Sequence, residues 1–140
     1  MSAEEKLILF LIDFEKALNG FKIILVIDKE NLSPVLREAV ENGQIQKFEI
    51  CIEQAWKTAK WFLGEKKGIV VNSPIPAIKN LYTEKIITEE VYSQLHHILK
   101  IRNYFSHIYK EEFFMSLIPE FPSYVPVLEQ VLKTMQHYDA

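Results

Sequence analysis

The sequence predicts an all-α fold, an antiparallel bundle of about five helices in one domain that spans residues 1–140. The length of 140 residues fits one domain, and 49% hydrophobic residues suffice for a sizeable core. Residues 35–73 and 77–118 contain no proline, and the chain has only four glycines, which favours long helices. No repeat, low-complexity tract or linker divides the chain.

The composition also excludes two classes of protein. A composition with 49% hydrophobic and 12% aromatic residues is not the composition of a disordered acidic tail. The formal net charge of −3 excludes a protein that coats nucleic acid or anionic lipid by bulk attraction. Any contact with nucleic acid must therefore be made at a local basic site.

The first helix is predicted from about Ser2 into the twenties. Its apolar residues recur at helical spacing, at Leu7, Phe10, Leu11, Phe14 and Leu18. Residues 21–27 are rich in β-branched side chains and could form a strand if taken alone. Since no alternating segment lies nearby to pair with them, we expect the helix to continue there.

The second helix begins with a strong start signal. Ser33 can act as the N-cap, and Pro34 fits the first helical position. The helix is predicted to run to Leu63, where Gly64 and then Gly68 would end it.

Three further helices complete the predicted bundle. Ser73 and the proline after it repeat the start signal for a short helix through Tyr82. Thr88 is a plausible N-cap for the fourth helix, whose first turn carries two glutamates that the helix dipole favours. The last helix is predicted between about residues 120 and 137.

Several features predict a cytoplasmic protein. Cys51 is the one cysteine, so no intrachain disulfide can form, and its apolar neighbours indicate a buried thiol. The longest apolar runs are far below the roughly 18–20 residues of a membrane span. The first residues are acidic, where a secretory signal would be basic. No membrane association is expected.

Chemistry is concentrated near the end of the fourth helix, at Arg102, Asn103 and His107. Arg102 falls near the middle of an apolar stripe, so it is either paired with a carboxylate, snorkelling, or facing a cleft. A histidine at a helix end is most often a surface or cap residue. Positions 102 and 107 lie about 140° apart on a helix, so they can meet at one substrate only if the helix breaks near Ser106 or a second subunit supplies one of them. The stripe comprises Val91, Leu95, Ile98, Leu99 and Phe105.

These residue types are suited to cutting RNA. Arg102 could hold a phosphodiester and stabilise charge on a pentavalent phosphorus. His107 could take the proton from a ribose 2′-hydroxyl or return one to the leaving 5′-oxygen, while Asn103 orients either group. This transesterification uses the hydroxyl that DNA lacks, and it requires neither a metal nor another cofactor.

Other candidates each have a structural alternative. Trp56, Lys57 and Trp61 could form a base-stacking platform beside a phosphate contact, but their spacing favours a packed core with a solvated lysine. Glu49 and Glu53 are four residues apart and could bind a metal or orient Arg102, although solvated or ion-paired glutamates are commoner.

Lysines could supply a local basic rim for RNA, or only a charged surface. Lys57, Lys100 and Lys110 are the predicted substrate contacts. The adjacent pair His96 and His97 does not predict a metal site, because neighbouring helical residues point about 100° apart and no third ligand has suitable spacing. Further lysines lie at positions 60, 66 and 67.

Four residues have the spacing Arg-Asn-x3-His-x-Tyr: Arg102, Asn103, His107 and Tyr109. This spacing resembles one form of the Arg-x4–6-His motif of the HEPN superfamily. Residues 46–58, QKFEICIEQAWKT, are very similar to a helix of the nucleotidyltransferase substrate-binding protein family. Residues 13–19 and the Ser73 start signal also fall where that family has similar segments. The resemblance covers roughly residues 10–138, so the chain resembles a single HEPN-like domain.

This resemblance implies a function that spacing alone does not. Members of the family are helical bundles that form homodimers, with the Arg and His elements lining a cleft at the dimer interface. The usual partner is a minimal nucleotidyltransferase. In the better-understood pairs the HEPN protein is a ribonuclease toxin, and the transferase is an antitoxin that adenylylates the tyrosine that corresponds to Tyr109. An older interpretation makes it a non-catalytic nucleotide- or substrate-binding subunit of the transferase.

Two departures from the family pattern affect the expected structure. An acidic residue commonly precedes the arginine of the motif, but this chain has Ile101 there, so Arg102 is expected to lack that orienting carboxylate. The segment of residues 20–36 is longer than the corresponding segment is in most of the family, which predicts an extended first loop. All four residues of the motif are present.

Overall fold

The protein is an all-α bundle, as expected. The computed structural model describes residues 1–107 and 111–139, and the side chains of all of these except Ser106, His107, Glu111 and Phe114. No β-strand occurs in these two ranges. The helices are α1 (Ala3–Leu25), α2 (Pro34–Lys67), α3 (Pro74–Thr83), α4 (Glu89–His107), α5 (Glu111–Leu117) and α6 (Phe121–Gln136), with a single 3-10 turn (Ile118–Glu120) before α6.

Helix α1 begins where the sequence places it and continues into the ambiguous segment, residues 21–27, as far as Leu25. The Ser2 hydroxyl accepts a hydrogen bond from the backbone N–H of Glu5 at 3.1 Å. The helix extends to Leu25 because Phe21 is fully buried, with its ring edge-on to Phe121 at 5.6 Å. Burial of this aromatic residue outweighs the β preference of its neighbours. The helical prediction for residues 21–27 is therefore confirmed as far as Leu25 and is wrong for Val26 and Ile27, which follow the end of the helix.

Helix α2 is the longest element, about 50 Å for its 34 residues. The Ser33 hydroxyl caps it by accepting from the N–H of Leu36 at 3.3 Å. The predicted end at residue 63 is wrong by four residues, because Gly64 remains helical. The helix ends at Gly68, whose φ of 66° is the left-handed conformation that glycine adopts without strain.

Helices α3 and α4 follow their predicted start signals. The hydroxyl of Thr88 accepts from the N–H of Val91 at 3.2 Å, which confirms it as the N-cap of α4. All five residues of the predicted apolar stripe on α4 are buried. Helix α3 packs between α2 and α4.

The region before α6 differs from the prediction. The sequence indicated one last helix, whereas α5 and the 3-10 turn precede α6, and α5 was not predicted. Pro122 lies in the first turn of α6, where its missing N–H costs nothing. Pro126 lies inside α6 on its exposed side.

An aromatic cluster joins four of the helices at the centre of the bundle. The fully buried ring of Phe48 on α2 stacks on Phe121 of α6 at 4.6 Å. It also contacts Phe105 of α4 edge-on at 5.8 Å and Tyr124 of α6 at the same distance. Since Phe105 lies one turn beyond Arg102, this cluster fixes the part of α4 that carries the candidate site against α2.

Two further observations bear on the chemistry of the chain. Cys51 is fully buried, as predicted, and burial raises the pKa of its thiol to about 12, so the nucleophilic thiolate is scarce at neutral pH. No helix among the described residues combines the length and apolar character that a membrane span requires.

Candidate functional site

Arg102 is partly buried between α4 and α2, and its charge is paired across the two helices. Its Nη2 donates to Oε2 of Glu53 at 2.7 Å, a distance typical of a charge-assisted hydrogen bond. The side chains of Arg102 and Glu53 are 27% and 31% exposed, so the pair lies at the boundary of the core, within reach of solvent. The carboxylate that Ile101 cannot supply comes instead from α2, through Glu53, one of the two glutamates that the sequence offers as partners of Arg102.

Glu53 is itself held by two neighbours one turn ahead on α2. The indole Nε1 of Trp56 donates to Oε2 at 3.1 Å, and the ammonium of Lys57 lies 3.2 Å from Oε1. Burial alone would raise the pKa of Glu53. The hydrogen bonds from Trp56 and Lys57, together with the charges of Arg102 and Lys57, outweigh burial and lower this pKa, so the carboxylate is ionised at neutral pH.

The two tryptophans of α2 have different surroundings. Trp56 is partly buried, packs against the core, and uses its N–H on Glu53. Trp61 stacks on Phe10 with ring centroids 5.9 Å apart, and the ammonium of Lys6 lies 4.5 Å from the Trp61 centroid. Protein groups thus already contact both rings, which favours a packed role over an open base-stacking platform.

Helix α4 divides the predicted site residues between two faces. The helix is unbroken through residue 107, which removes a helix break near Ser106 as a way to bring positions 102 and 107 together. At 100° per residue, positions 100, 103 and 107 fall within about 60° of one another, while position 102 lies about 140° from 107. Lys100 and Asn103 are both exposed. Arg102 and Lys57 therefore form one half of the candidate site, and the other half lies on a different side of α4.

Not every predicted residue can be placed. Of His107 the structure gives the helical backbone position, and Tyr109 and Lys110 lie outside the described residues. Among the residues that are described, no group of three or more His, Cys, Asp or Glu side chains is arranged to hold a metal ion. His96 and His97 are exposed and contact Tyr92 and Tyr124, respectively.

The carboxylate partner of Arg102 is the feature that the sequence left undecided. Glu49 and Glu53 both lie on α2 at positions that could serve that role, and their spacing alone cannot choose between them. The sequence does contain a feature that favours Glu53 as the partner. Residues 53–57 have the order Glu-x-x-Trp-Lys, which places an indole N–H and an ammonium within one turn of the Glu53 carboxylate.

Comparisons with known proteins agree on one fold. A sequence model of the family described as "Nucleotidyltransferase substrate binding protein like" matches residues 10–137. A crystal structure of a protein from Thermus thermophilus superposes with a TM-score of 0.74 at 28% identity, over 87% of this chain and 98% of that one. No curated protein matches the chain.

Two toxin–antitoxin complexes contain chains of the same fold. One is the tri-AMPylated Shewanella oneidensis HEPN toxin in complex with MNT antitoxin, with a TM-score of 0.71 at 13% identity over 94% of this chain and 96% of that chain. The other is a mutant of the toxin–antitoxin MntA–HpeT, with a TM-score of 0.74 at 13% identity over 94% and 97% of the two chains. At this identity the likeness establishes the helical fold.

Proposed function

The chain belongs to the family of nucleotidyltransferase substrate-binding-like proteins, and we propose that it is the HEPN component of a pair with a minimal nucleotidyltransferase. In this proposal it acts in the cytoplasm as a homodimeric, metal-independent endoribonuclease of toxin type, and adenylylation by the partner silences it. The complete Arg-Asn-x3-His-x-Tyr motif supports the activity. The fold shared with a chain of an AMPylated toxin complex supports the mode of control.

The observation that carries the proposal is the division of α4 into two faces. Arg102 is directed to α2, where it pairs with Glu53 and Glu53 in turn pairs with Lys57, while position 107 lies about 140° away on an unbroken helix. One chain therefore offers an anion-binding half beside Arg102 and a separate half at positions 103 and 107. A two-fold dimer that faces these surfaces towards each other would bring an arginine and a histidine to one phosphate.

The proposed reaction is transesterification of the RNA backbone. Arg102 and Lys57 would hold the non-bridging oxygens of the phosphodiester, with Lys100 and Lys110 as further backbone contacts. His107 would take the proton of the 2′-hydroxyl, and the 2′-oxygen would attack phosphorus. The bond from phosphorus to the 5′-oxygen then breaks, and a protonated histidine returns a proton to that oxygen. Asn103 would orient the reacting groups, and the products are a 2′,3′-cyclic phosphate and a 5′-hydroxyl.

The proposed control acts at Tyr109. The partner would transfer AMP from ATP to the phenolic oxygen of Tyr109 and release pyrophosphate. The added phosphodiester is an anion two residues beyond His107, so it would compete with the RNA phosphate for the cations of the site and obstruct the cleft.

A second candidate is a non-catalytic nucleotide- or substrate-binding subunit of the transferase. The description of the matched family favours it, and so does the Arg102–Glu53–Lys57 cluster, which can bind a phosphate without catalysing a reaction. In that case Arg102 would contribute to nucleotide affinity, and the chain alone would leave RNA intact.

Cleavage of tRNA in the presence of a chelator separates the two candidates. We expect the wild type to cut tRNA in EDTA and to leave cyclic phosphate ends, and we expect Arg102→Ala and His107→Ala to be inactive. Arg37→Ala is the matched control, because Arg37 is the other arginine of the chain and lies exposed in the first turn of α2. Equal cleavage by the wild type and both site variants would mean that a contaminant cuts the RNA.

Intact-mass analysis tests the proposed control. After incubation with the partner transferase, ATP and magnesium, we expect additions of AMP that disappear in Tyr109→Phe and persist in Tyr82→Phe, whose ring stacks on Tyr92 in another part of the bundle. Labelling that is unchanged in Tyr109→Phe would exclude Tyr109 as the acceptor.

A further inference from the structure

We infer that Glu53 is a positioning residue for Arg102, and that it sets the charge of the anion-binding half so that it matches one phosphodiester. The inference rests on the proposed function for the identity of the ligand, an RNA phosphate. Its structural basis is the contact of Glu53 with both cations of this half, Arg102 at 2.7 Å and Lys57 at 3.2 Å.

The geometry fixes the guanidinium while leaving donors for a ligand. Arginine carries five N–H donors, and the contact with Glu53 is made by Nη2 alone. Nε of Arg102 is buried and has no hydrogen-bond partner in the described part of the chain, so the terminal nitrogens are the ones that remain for a phosphate. Glu53 thus restrains the direction of the fork that binds the anion.

Trp56 makes Glu53 a rigid anchor. Its indole N–H donates to the same Oε2 atom that accepts from Arg102, and its ring packs against the core. Glutamate alone has three rotatable side-chain bonds, whereas this one is held from the indole side and from the Lys57 side. A restrained carboxylate can transmit its position to the arginine, which a solvated surface glutamate cannot do.

The charges of this half sum to one positive charge. Arg102 and Lys57 contribute two, and ionised Glu53 removes one. A phosphodiester carries a single negative charge, so the occupied half would be neutral. Without Glu53 the same half would carry two positive charges, bind any polyanion more tightly, and orient it less well.

Two substitutions separate charge from geometry. Glu53→Gln keeps the shape and removes the charge, whereas Glu53→Asp keeps the charge and shortens the reach by one methylene. Glu49→Gln is the matched control. It removes the same charge one turn earlier on α2, at a residue that does not contact Arg102 in the structure.

The first measurement observes Arg102 directly and needs no activity. The chain has two arginines, so NMR of the side-chain N–H groups gives two sets of signals, with exposed Arg37 as the internal reference. We expect Arg102 to show separate, slowly rotating Nη signals in the wild type and in Glu49→Gln. In both Glu53 variants these signals should broaden and average towards those of Arg37. Unchanged Arg102 signals in the Glu53 variants would overturn the inference.

The second measurement separates binding from cleavage. For Glu53→Gln we expect RNA binding as tight as the wild type or tighter, with a salt slope steeper by about 0.7 for the added charge. Its kcat should fall about 10-fold through misorientation of Arg102. For Glu53→Asp we expect wild-type affinity and salt slope with a similar fall in kcat. An unchanged kcat in both variants, or equal losses of affinity and fold stability, would contradict a positioning role.

The positioning role and the proposed function can be refuted separately. If the wild type does not cut RNA, the nuclease proposal is refuted, while the Arg102 signals and the salt slope of oligonucleotide binding still decide the role of Glu53. If the wild type cuts RNA and the Glu53 variants match it in every readout, the positioning role is refuted and the nuclease proposal stands.

Discussion

Replacing Phe48 by alanine should remove about 4 kcal/mol of folding free energy. The ring is fully buried and contacts aromatic residues from α1, α4 and α6, at 4.6 Å in the closest pair. Deleting a buried phenyl ring typically costs about 3–5 kcal/mol through lost burial and the cavity that remains. Each aromatic pair adds roughly 0.5–1.5 kcal/mol beyond its buried area. A loss of about 4 kcal/mol, within this range, is expected because the surrounding rings come from three other helices and cannot all move into the space.

Urea denaturation followed by tryptophan fluorescence measures this loss. Trp56 and Trp61 both lie on α2 and report its unfolding. With a slope of about 2 kcal/mol per molar urea, the midpoint should fall by about 2 M at fixed protein concentration. Ile50→Ala is the matched control on the opposite side of α2, where the side chain is 42% exposed, and it should cost less than about 1 kcal/mol. A loss below about 1.5 kcal/mol for Phe48→Ala, or equal losses for the two variants, would refute the central role of the cluster.

Three further predictions concern stability. Gly20→Ala should stabilise the protein by about 0.5–1 kcal/mol, since alanine favours the interior of α1 and its Cβ would meet the Lys47 side chain at an ordinary 3.7 Å; a lower melting temperature would contradict this. Gly68→Ala should cost about 1 kcal/mol in the same assay because of its φ of 66°, and a neutral effect would be inconsistent with the left-handed cap. The lowered pKa of Glu53 means that its contribution to stability is complete above the unfolded pKa of about 4.3 and is lost as the pH falls through the lower folded value. Glu53→Gln should therefore flatten the dependence of stability on pH below about 5, and identical acid melting curves would exclude this coupling.

Much of the fold could be predicted from local signals. Caps at Ser2, Ser33 and Thr88 mark the helix starts because a short side-chain oxygen meets the free N–H groups there. The predicted end of α2 is four residues too early, because glycine permits a helix end without requiring one. Gly64 stays helical, and Gly68 adopts the left-handed turn. Helix α5 has only seven residues, too few for an apolar period to stand out.

The candidate site was predictable in its residues and only partly in its arrangement. The sequence indicated that Arg102 needs a partner, and that positions 102 and 107 diverge on a helix. It could not identify Glu53 as that partner, because the contact joins residues 49 positions apart and depends on how α2 and α4 pack. Contacts between helices are set by the whole core, including the Phe48–Phe105 pair, and spacing within one helix does not encode them.

In the proposed homodimer, an arginine from one chain and a histidine from the other act on the same RNA phosphate. A heterodimer of Arg102→Ala and His107→Ala tests it most directly, with a different affinity tag on each chain so that only mixed dimers are purified. Each variant alone should be inactive, and the mixed dimer should recover about half of the wild-type cleavage rate, because one of its two arginine–histidine combinations is intact. A mixed dimer as inactive as its parents would contradict the shared site.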